Sequence, residues 1–288
     1  MVDYSIWVLE YAYVPDYARS DVIYGAHNEG TLKLPYCYVL LKSDERTVMV
    51  DVGYNFKEYG KTLAERFGVI NWRDPRTVLA EVGVRPEDVD DVIITHAHFD
   101  HFGNVEEFPN AVFHIQEREF TKWLWSLTLP KQFSWLNGAL DPGDMLRAAE
   151  LAASGRLRLV DGDVEDVVPG IDLFGAPDSH TFGSQFVHVK NQRSNDSWVL
   201  AGDLRYVFEN VTGRDNDGVY IPVGLASGSQ LNLLLATERM MQLVDREERR
   251  IIPIHEERLS KTFASRETAE GLKVVEITLA AGEKSRVS

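Results

Sequence analysis

The sequence predicts a mixed α/β fold in a single domain, and three observations carry that prediction. Short apolar runs rich in valine, isoleucine and leucine recur along the chain, separated by turn-forming residues and helical stretches. Polar residues able to bind metal or move protons follow several of these runs directly. No internal repeat and no low-complexity linker divides the 288 residues, so one domain over 1–288 is the simplest organisation.

Composition sets the boundaries. Hydrophobic residues make up 44% and charged residues 26%, ordinary for a globular chain with enough length for a sizeable core. Against 30 lysines and arginines stand 45 acids, a formal net charge of −15. Such a chain is not expected to bind nucleic acid, which needs basic patches, nor an anionic membrane. The single cysteine, Cys37, lies in a strand-like run; it allows no internal disulfide and reads as a small core residue of a reducing compartment. No basic stretch leads into an apolar run at the N-terminus, and no apolar run approaches the roughly 18 residues of a membrane span. A cytoplasmic location is the resulting expectation.

In order, residues 1–35 read as an irregular leader with one short strand near 6–9 and five tyrosines, Tyr4, Tyr11, Tyr13, Tyr17 and Tyr24. Such a leader packs on its own domain or on a partner subunit, as in a homodimer; His27 within it reads as surface or packing. Residues 36–41 and 47–52 form a hairpin around Lys42-Ser43-Asp44-Glu45-Arg46, ended by Asp51-Val52-Gly53. Helices follow at 57–67 and 75–82, the second stopped by Gly83, then a turn at 86–88 and a strand at 89–95. A short helix at 104–108 and a strand at 111–115 come next, with His114 alternating inside the strand as a structural histidine.

Residues 116–155 form an aromatic-rich insertion, helical at 117–124 and 142–153. Trp123, Trp125, Phe133 and Trp135 suit an apolar lid, a pocket wall, a subunit contact or a helical hairpin packed on the body. Strands return at 157–160, 171–174, 185–189 and 198–200, with the acidic run 161–166 as a solvated turn and His188 as structural. A helix at 230–244, a buried strand at 251–254 and a last strand at 274–279 precede a polar tail, 282–288.

The most informative stretch is Thr95-His96-Ala97-His98-Phe99-Asp100-His101-Phe102-Gly103, straight after the apolar Val92-Ile93-Ile94. Three imidazoles and a carboxylate so close would repel one another if protonated. A divalent cation removes that problem, since neutral imidazole and ionised carboxylate are the usual ligands of zinc. His96 and His98, two apart, leave an extended segment on one face, whereas Asp100 and His101 diverge. One loop can therefore serve two metals, each still short of ligands. His180, Asp203 and His255 each follow an apolar strand and are the candidates to complete them.

On these seven residues, with Asp51-Val52-Gly53 after an early hairpin, the sequence resembles the metallo-β-lactamase superfamily. The resemblance implies an αββα sandwich of two facing mixed β-sheets with outer helices and metals at one edge. It implies two Zn²⁺ per chain, the first held by His96, His98 and His180 and the second by Asp100, His101 and His255. Asp203 would bridge them beside a shared water or hydroxide. Within the superfamily the sequence is most similar to the N-acyl homoserine lactonases and related lactonases such as pyridoxolactonase. Asp203-Leu204-Arg205-Tyr206 places a tyrosine three residues after the bridging aspartate, where that group has one meeting the substrate carbonyl. Ser179 departs from the glycine usual before the third histidine; glycine permits positive φ, so a local difference is expected there.

Other branches fit less well. The common dizinc β-lactamases use a cysteine near the bridging position, far from Cys37 in sequence. Flavodiiron proteins have glutamate where His98 stands, RNA-processing members want basic surface, and the residues after His255 are not expected to form the C-terminal helical domain of glyoxalase II.

The implied activity is opening of a lactone by a metal-bridging hydroxide, because two Zn²⁺ lower the pKa of a shared water from about 15.7 toward about 7. Tyr206 would stabilise the oxyanion and Asp100 would pass a proton to the leaving alkoxide, so Asp100, Asp203 and Tyr206 are the expected catalytic residues. The aromatic stretch points to an apolar or aromatic small-molecule lactone. A cyclic amide, thioester or open ester would suit the same centre, and other divalent metals the same ligands. From a different class, a mononuclear iron oxygenase of the persulfide dioxygenase kind would use the first ligand set only.

Overall fold

Alternation of side chains along the strands sorts the buried residues into layers. The computed structural model describes residues 2–288. Its strands are β1 (Ser5–Ala18), β2 (Thr31–Lys42), β3 (Thr47–Val50), β4 (Asp91–Ile93), β5 (Val112–Gln116) and β6 (Leu157–Val160), then β7 (Val164–Val168), β8 (Ile171–Pro177), β9 (Gly183–Asn191), β10 (Asp196–Leu200), β11 (Ile251–Ile252), β12 (Ala264–Glu267) and β13 (Lys273–Thr278). One sheet runs β12-β13-β1-β2-β3-β4-β5-β6 and the other β11-β10-β9-β8-β7. Both are mixed: β3 to β6 pair in parallel, as do β10 and β11, and the remaining pairs are antiparallel.

Ile6, Val8, Val39, Leu41, Val48, Val50 and Ile93 of the larger sheet meet Leu173, Val187, Val189, Leu200 and Ile252 of the smaller one in a shared layer. The residues between them, Trp7, Leu9, Leu40, Met49 and Val92, face the other way. There they pack with Leu63 and Ala64 of the Glu58–Phe67 helix, Leu79 of Pro75–Ala80 and Met145 of Pro142–Ala153. Val199, Ile251 and Phe186 on the outer face of the smaller sheet pack with Leu233 and Met240 of the Gln230–Leu243 helix. The result is an αββα sandwich. Helix starts obey local chemistry: Asp74 and Asp141 accept from Thr77 N and Gly143 N, each before a proline suited to the first helical position.

Three readings of the sequence need correction. Residues 5–18 are not an irregular leader but a long central strand, paired with both β2 and β13. The acidic run 161–166 is not wholly a turn, because β7 begins at Val164 and forms the sheet edge, where charged outward residues are tolerated. A further edge strand, β12, precedes the last one. Cys37 is a buried free thiol in the inter-sheet layer, and His114 and His188 are sheet residues paired with Asp91 and Asp172. Among the described residues, no helix is long and apolar enough to cross a membrane.

Candidate metal centre

Parallel pairing brings several strand ends to one rim. β3 and β4 run side by side in parallel, so Asp51 and the 95–103 loop emerge together. In the smaller sheet β10 and β11 are parallel, and β8 shares their direction because two antiparallel pairings separate it from β10. His180, Asp203 and His255 therefore leave the same rim. The sheets are stitched there by Gln185, whose backbone N–H donates to Thr95 O and whose side chain donates to Ile94 O. Gly202, at φ +51°, turns the chain into Asp203; an added Cβ would lie 2.8 Å from Thr95 Cβ, so the close approach also requires glycine.

All seven candidate residues converge in two adjoining groups. In the first, His96 Nε2 and His180 Nε2 each lie 3.1 Å from His98 Nδ1, and 3.6 and 3.4 Å from Asp203 Oδ2. In the second, His101 Nε2 and His255 Nε2 lie 3.5 and 3.9 Å from Asp100 Oδ2, and 3.2 and 3.0 Å from Asp203 Oδ1. Asp203 thus turns one oxygen to each group. All seven are buried except His98, which is half-buried.

Neighbouring acceptors assign the tautomers. His180 Nδ1 lies 2.9 Å from Leu225 O and His255 Nδ1 2.7 Å from Pro35 O; a carbonyl only accepts, so both Nδ1 atoms carry hydrogen and both Nε2 atoms present lone pairs. His101 Nδ1 donates to Asp51 Oδ2 at 2.8 Å. The Thr95 hydroxyl donates to the same carboxylate, so it accepts from His96 Nδ1 at 3.1 Å.

The outcome is a set of inward lone pairs at short range, and one proton on His98 cannot satisfy them all. His101 Nε2 is buried with no hydrogen-bond partner among the described residues. Burial pushes the His96 imidazole well below its ordinary pKa and His98 down to about 3. His101 goes the other way: burial would lower it, but Asp203, Asp100 and Asp51 together raise it. The carboxylates thus demand positive charge where the imidazoles offer lone pairs, and a divalent cation meets both needs. The residues present fit a metal.

Beside the groups opens a cavity of about 200 Å³, walled mainly by apolar side chains and containing one cation, Arg66. Its walls come from distant parts of the chain: Tyr17 and Leu34 from β1 and β2, Phe67 from the Glu58–Phe67 helix, Trp135 and Leu136 from the insertion. The aromatic insertion divides in two. Trp123 is fully buried against the His98 and Phe182 rings, while Trp135 stands 74% exposed at the cavity. Tyr206 also lines the cavity; its hydroxyl donates to Asp203 Oδ2 at 2.5 Å and its ring stacks on His255. Ser179 does not take positive φ; Asp178 before it does, at +51°, and Gly228 fits against the backbone of both.

Some residues of the site escaped the sequence reading. Asp51 was visible only as part of Asp51-Val52-Gly53, yet it orients His101 and accepts from both the backbone and hydroxyl of Thr95. Glu119, Pro35 O and Leu225 O carry no sequence signal, since each acts through a contact distant in the chain.

The profile of the metallo-beta-lactamase superfamily matches residues 30–248, well over half of the chain, and the chain belongs to that superfamily. An N-acyl homoserine lactonase of Bacillus cereus is 29% identical over 189 residues, covering 62% of this chain and 67% of that protein. A probable metallo-hydrolase of Mycobacterium tuberculosis is 26% identical over 192 residues, covering 62% of this chain and 59% of its own length. Among solved structures, an N-acyl homoserine lactone hydrolase with N-hexanoyl-L-homoserine bound at its catalytic metal centre superposes with a TM-score of 0.65, at 22% identity, over 90% of this chain and 95% of that one. A dizinc quorum-quenching lactonase with a product bound gives 0.63 at 15% identity, over 96% and 95%. These superpositions establish the αββα fold.

Proposed function

We propose that this chain is a dinuclear zinc hydrolase that opens the ring of an apolar or aromatic lactone. The observation that carries the proposal is the pair of donor groups sharing Asp203 at the wall of an apolar cavity. His96, His98 and His180 would hold one metal, Asp100, His101 and His255 the other, and Asp203 both. When bound, two such cations supply an acidified water and Lewis-acid polarisation of an ester carbonyl. The relatives named as lactonases support the ring-opening assignment.

The chain's own groups then have defined tasks. Asp203 and the tautomer-fixing contacts hold the donors in place. Tyr206 lines the cavity, and its one O–H, donated to Asp203 Oδ2 in this structure, would turn to a carbonyl oxygen as charge develops there. Asp100, also lining the cavity, would take the proton released as the water adds to the carbonyl and pass it to the departing alkoxide. Tyr17, Leu34, Phe67 and Phe99 exclude water and bury an apolar substituent. Retention of a complete second donor group speaks against a mononuclear iron oxygenase, which needs only the first.

The test is a panel of lactones, cyclic amides, thioesters and open esters, scored by proton release with zinc-loaded protein and with chelated protein. Metal-dependent turnover is expected on lactones with apolar or aromatic substituents. Turnover confined to amides or thioesters, or unaffected by chelation, would overturn the assignment.

A further inference from the structure

Glu119, in the Glu117–Ser126 helix, is completely buried, yet no cationic side chain among the described residues pairs with it. A buried carboxylate without a cation is costly unless its oxygens are fully hydrogen-bonded, and these are. Oε1 accepts from Ala97 N at 2.8 Å and Trp123 Nε1 at 2.7 Å. Oε2 accepts from Thr181 Oγ1 at 2.8 Å and Gly183 N at 2.6 Å. Ala97 lies between His96 and His98, and Thr181 follows His180. One carboxylate therefore ties together the two chain segments that carry the three imidazoles of the first group. Trp123, held by the same carboxylate, places its ring 5.8 Å from that of His98. The approach is built in: a Cβ on Gly183 would lie 2.4 Å from Glu119 N. The second group has no such contact, since its imidazoles rest on Asp51 and Pro35 O.

We infer that Glu119 is a positioning residue for the first metal alone, fixing the His96–His98 and His180 segments at the spacing a metal needs and tying them to the insertion that walls the substrate cavity. The inference rests on the dinuclear-metal reading. It makes a specific demand on charge, not only on shape. All four donors need acceptors, and an amide offers one oxygen and one NH₂. Glutamine has nearly the same volume but would set its NH₂ against at least one N–H that can only donate, Gly183 N in the better orientation, so it cannot fully replace the glutamate.

The test is competitive zinc titration of the metal-depleted full chain against a chromophoric chelator. His98→Ala and His255→Ala identify which binding phase belongs to which group. Glu119→Gln is expected to weaken the first-group phase by about 10- to 100-fold, the range typical when an outer-shell partner of a ligand is lost, while the second phase holds. Thr181→Val, which removes one donor and no charge, should weaken the same phase by less. A melting curve of each metal-free variant separates this effect from general unfolding. Wild-type affinity for both metals in Glu119→Gln would reduce the residue to packing and overturn the inference. So would an equal loss in both phases with a collapsed melting temperature in both variants. Failure of the wild-type chain to bind zinc at all would sink the metal reading and this inference with it, whereas lactone turnover by a wild-type-affinity Glu119→Gln protein would sink the inference alone.

Discussion

The two donor groups touch through Asp203 and both use ring N–H contacts, yet the first is also held through its backbone segments by Glu119. The first is three imidazoles, those of His96 and His98 pushed down by burial, on segments held through Ala97 N and the Thr181 hydroxyl. The second has imidazoles raised by the carboxylates around them, against the effect of burial, and fixed through their own ring N–H groups. The first offers lone pairs without charge, whereas the second adds the Asp100 carboxylate to its imidazole lone pairs. The difference teaches that a ligand can be positioned through its ring or through its backbone segment, and that none of Asp51, Pro35 and Glu119 lies near in sequence to the ligand it positions.

Substitutions can break or sharpen this contrast. The largest effect is expected at Asp203, the one residue shared by both groups. Asp203→Ala should cost more than the roughly 100-fold typical of outer-shell partners in rate, and should lower metal content at both groups, measured by elemental analysis alongside turnover. Full metal with normal turnover would defeat the shared role. Tyr206→Phe removes the hydrogen bond to Asp203 Oδ2 but no metal donor. It should leave both metals in place and slow lactone opening by about 100-fold, the cost of a lost oxyanion donor; an unchanged kcat/KM would return Tyr206 to packing.

Asp51→Asn should affect the second group selectively, through His101. A loss of about 10-fold or more in the affinity of that metal, read by zinc titration, is expected; equal weakening of both phases would argue that Asp51 acts through Thr95 on the first group as well. The smallest effect is expected at the most exposed wall of the cavity. Trp135 is mostly exposed, so Trp135→Ala should raise KM for an aromatic lactone only about fivefold, roughly 1 kcal/mol of lost apolar contact, with kcat unchanged. A changed kcat would make the insertion part of the chemistry.

The central strands were legible because they are apolar runs closed by polar residues, and those polar residues are the candidate ligands; the αββα arrangement came only through the resemblance they carry. His96, His98, Asp100, His101, His180, Asp203 and His255 stand out for that reason. What was illegible had the opposite character. β1 is buried along most of its length and carries tyrosines, Pro15 and Asp16, so it lacks a strand's simple alternation and read as a leader. β7 and β12 are edge strands with charged, outward residues; the start of β7 read as a turn, and β12 gave no strand signal. Glu119 is one acid on a helix 22 residues from Ala97; only the folded chain shows four donors aimed at it.

The central claim is that two metals sit side by side on a shared aspartate. Zinc titration of the metal-depleted full chain by calorimetry, run on the wild type and on Asp203→Ala, tests it most directly. The account predicts two equivalents bound by the wild type, and loss of tight binding at both groups in the variant. One equivalent in the wild type, unchanged by the substitution, would contradict it.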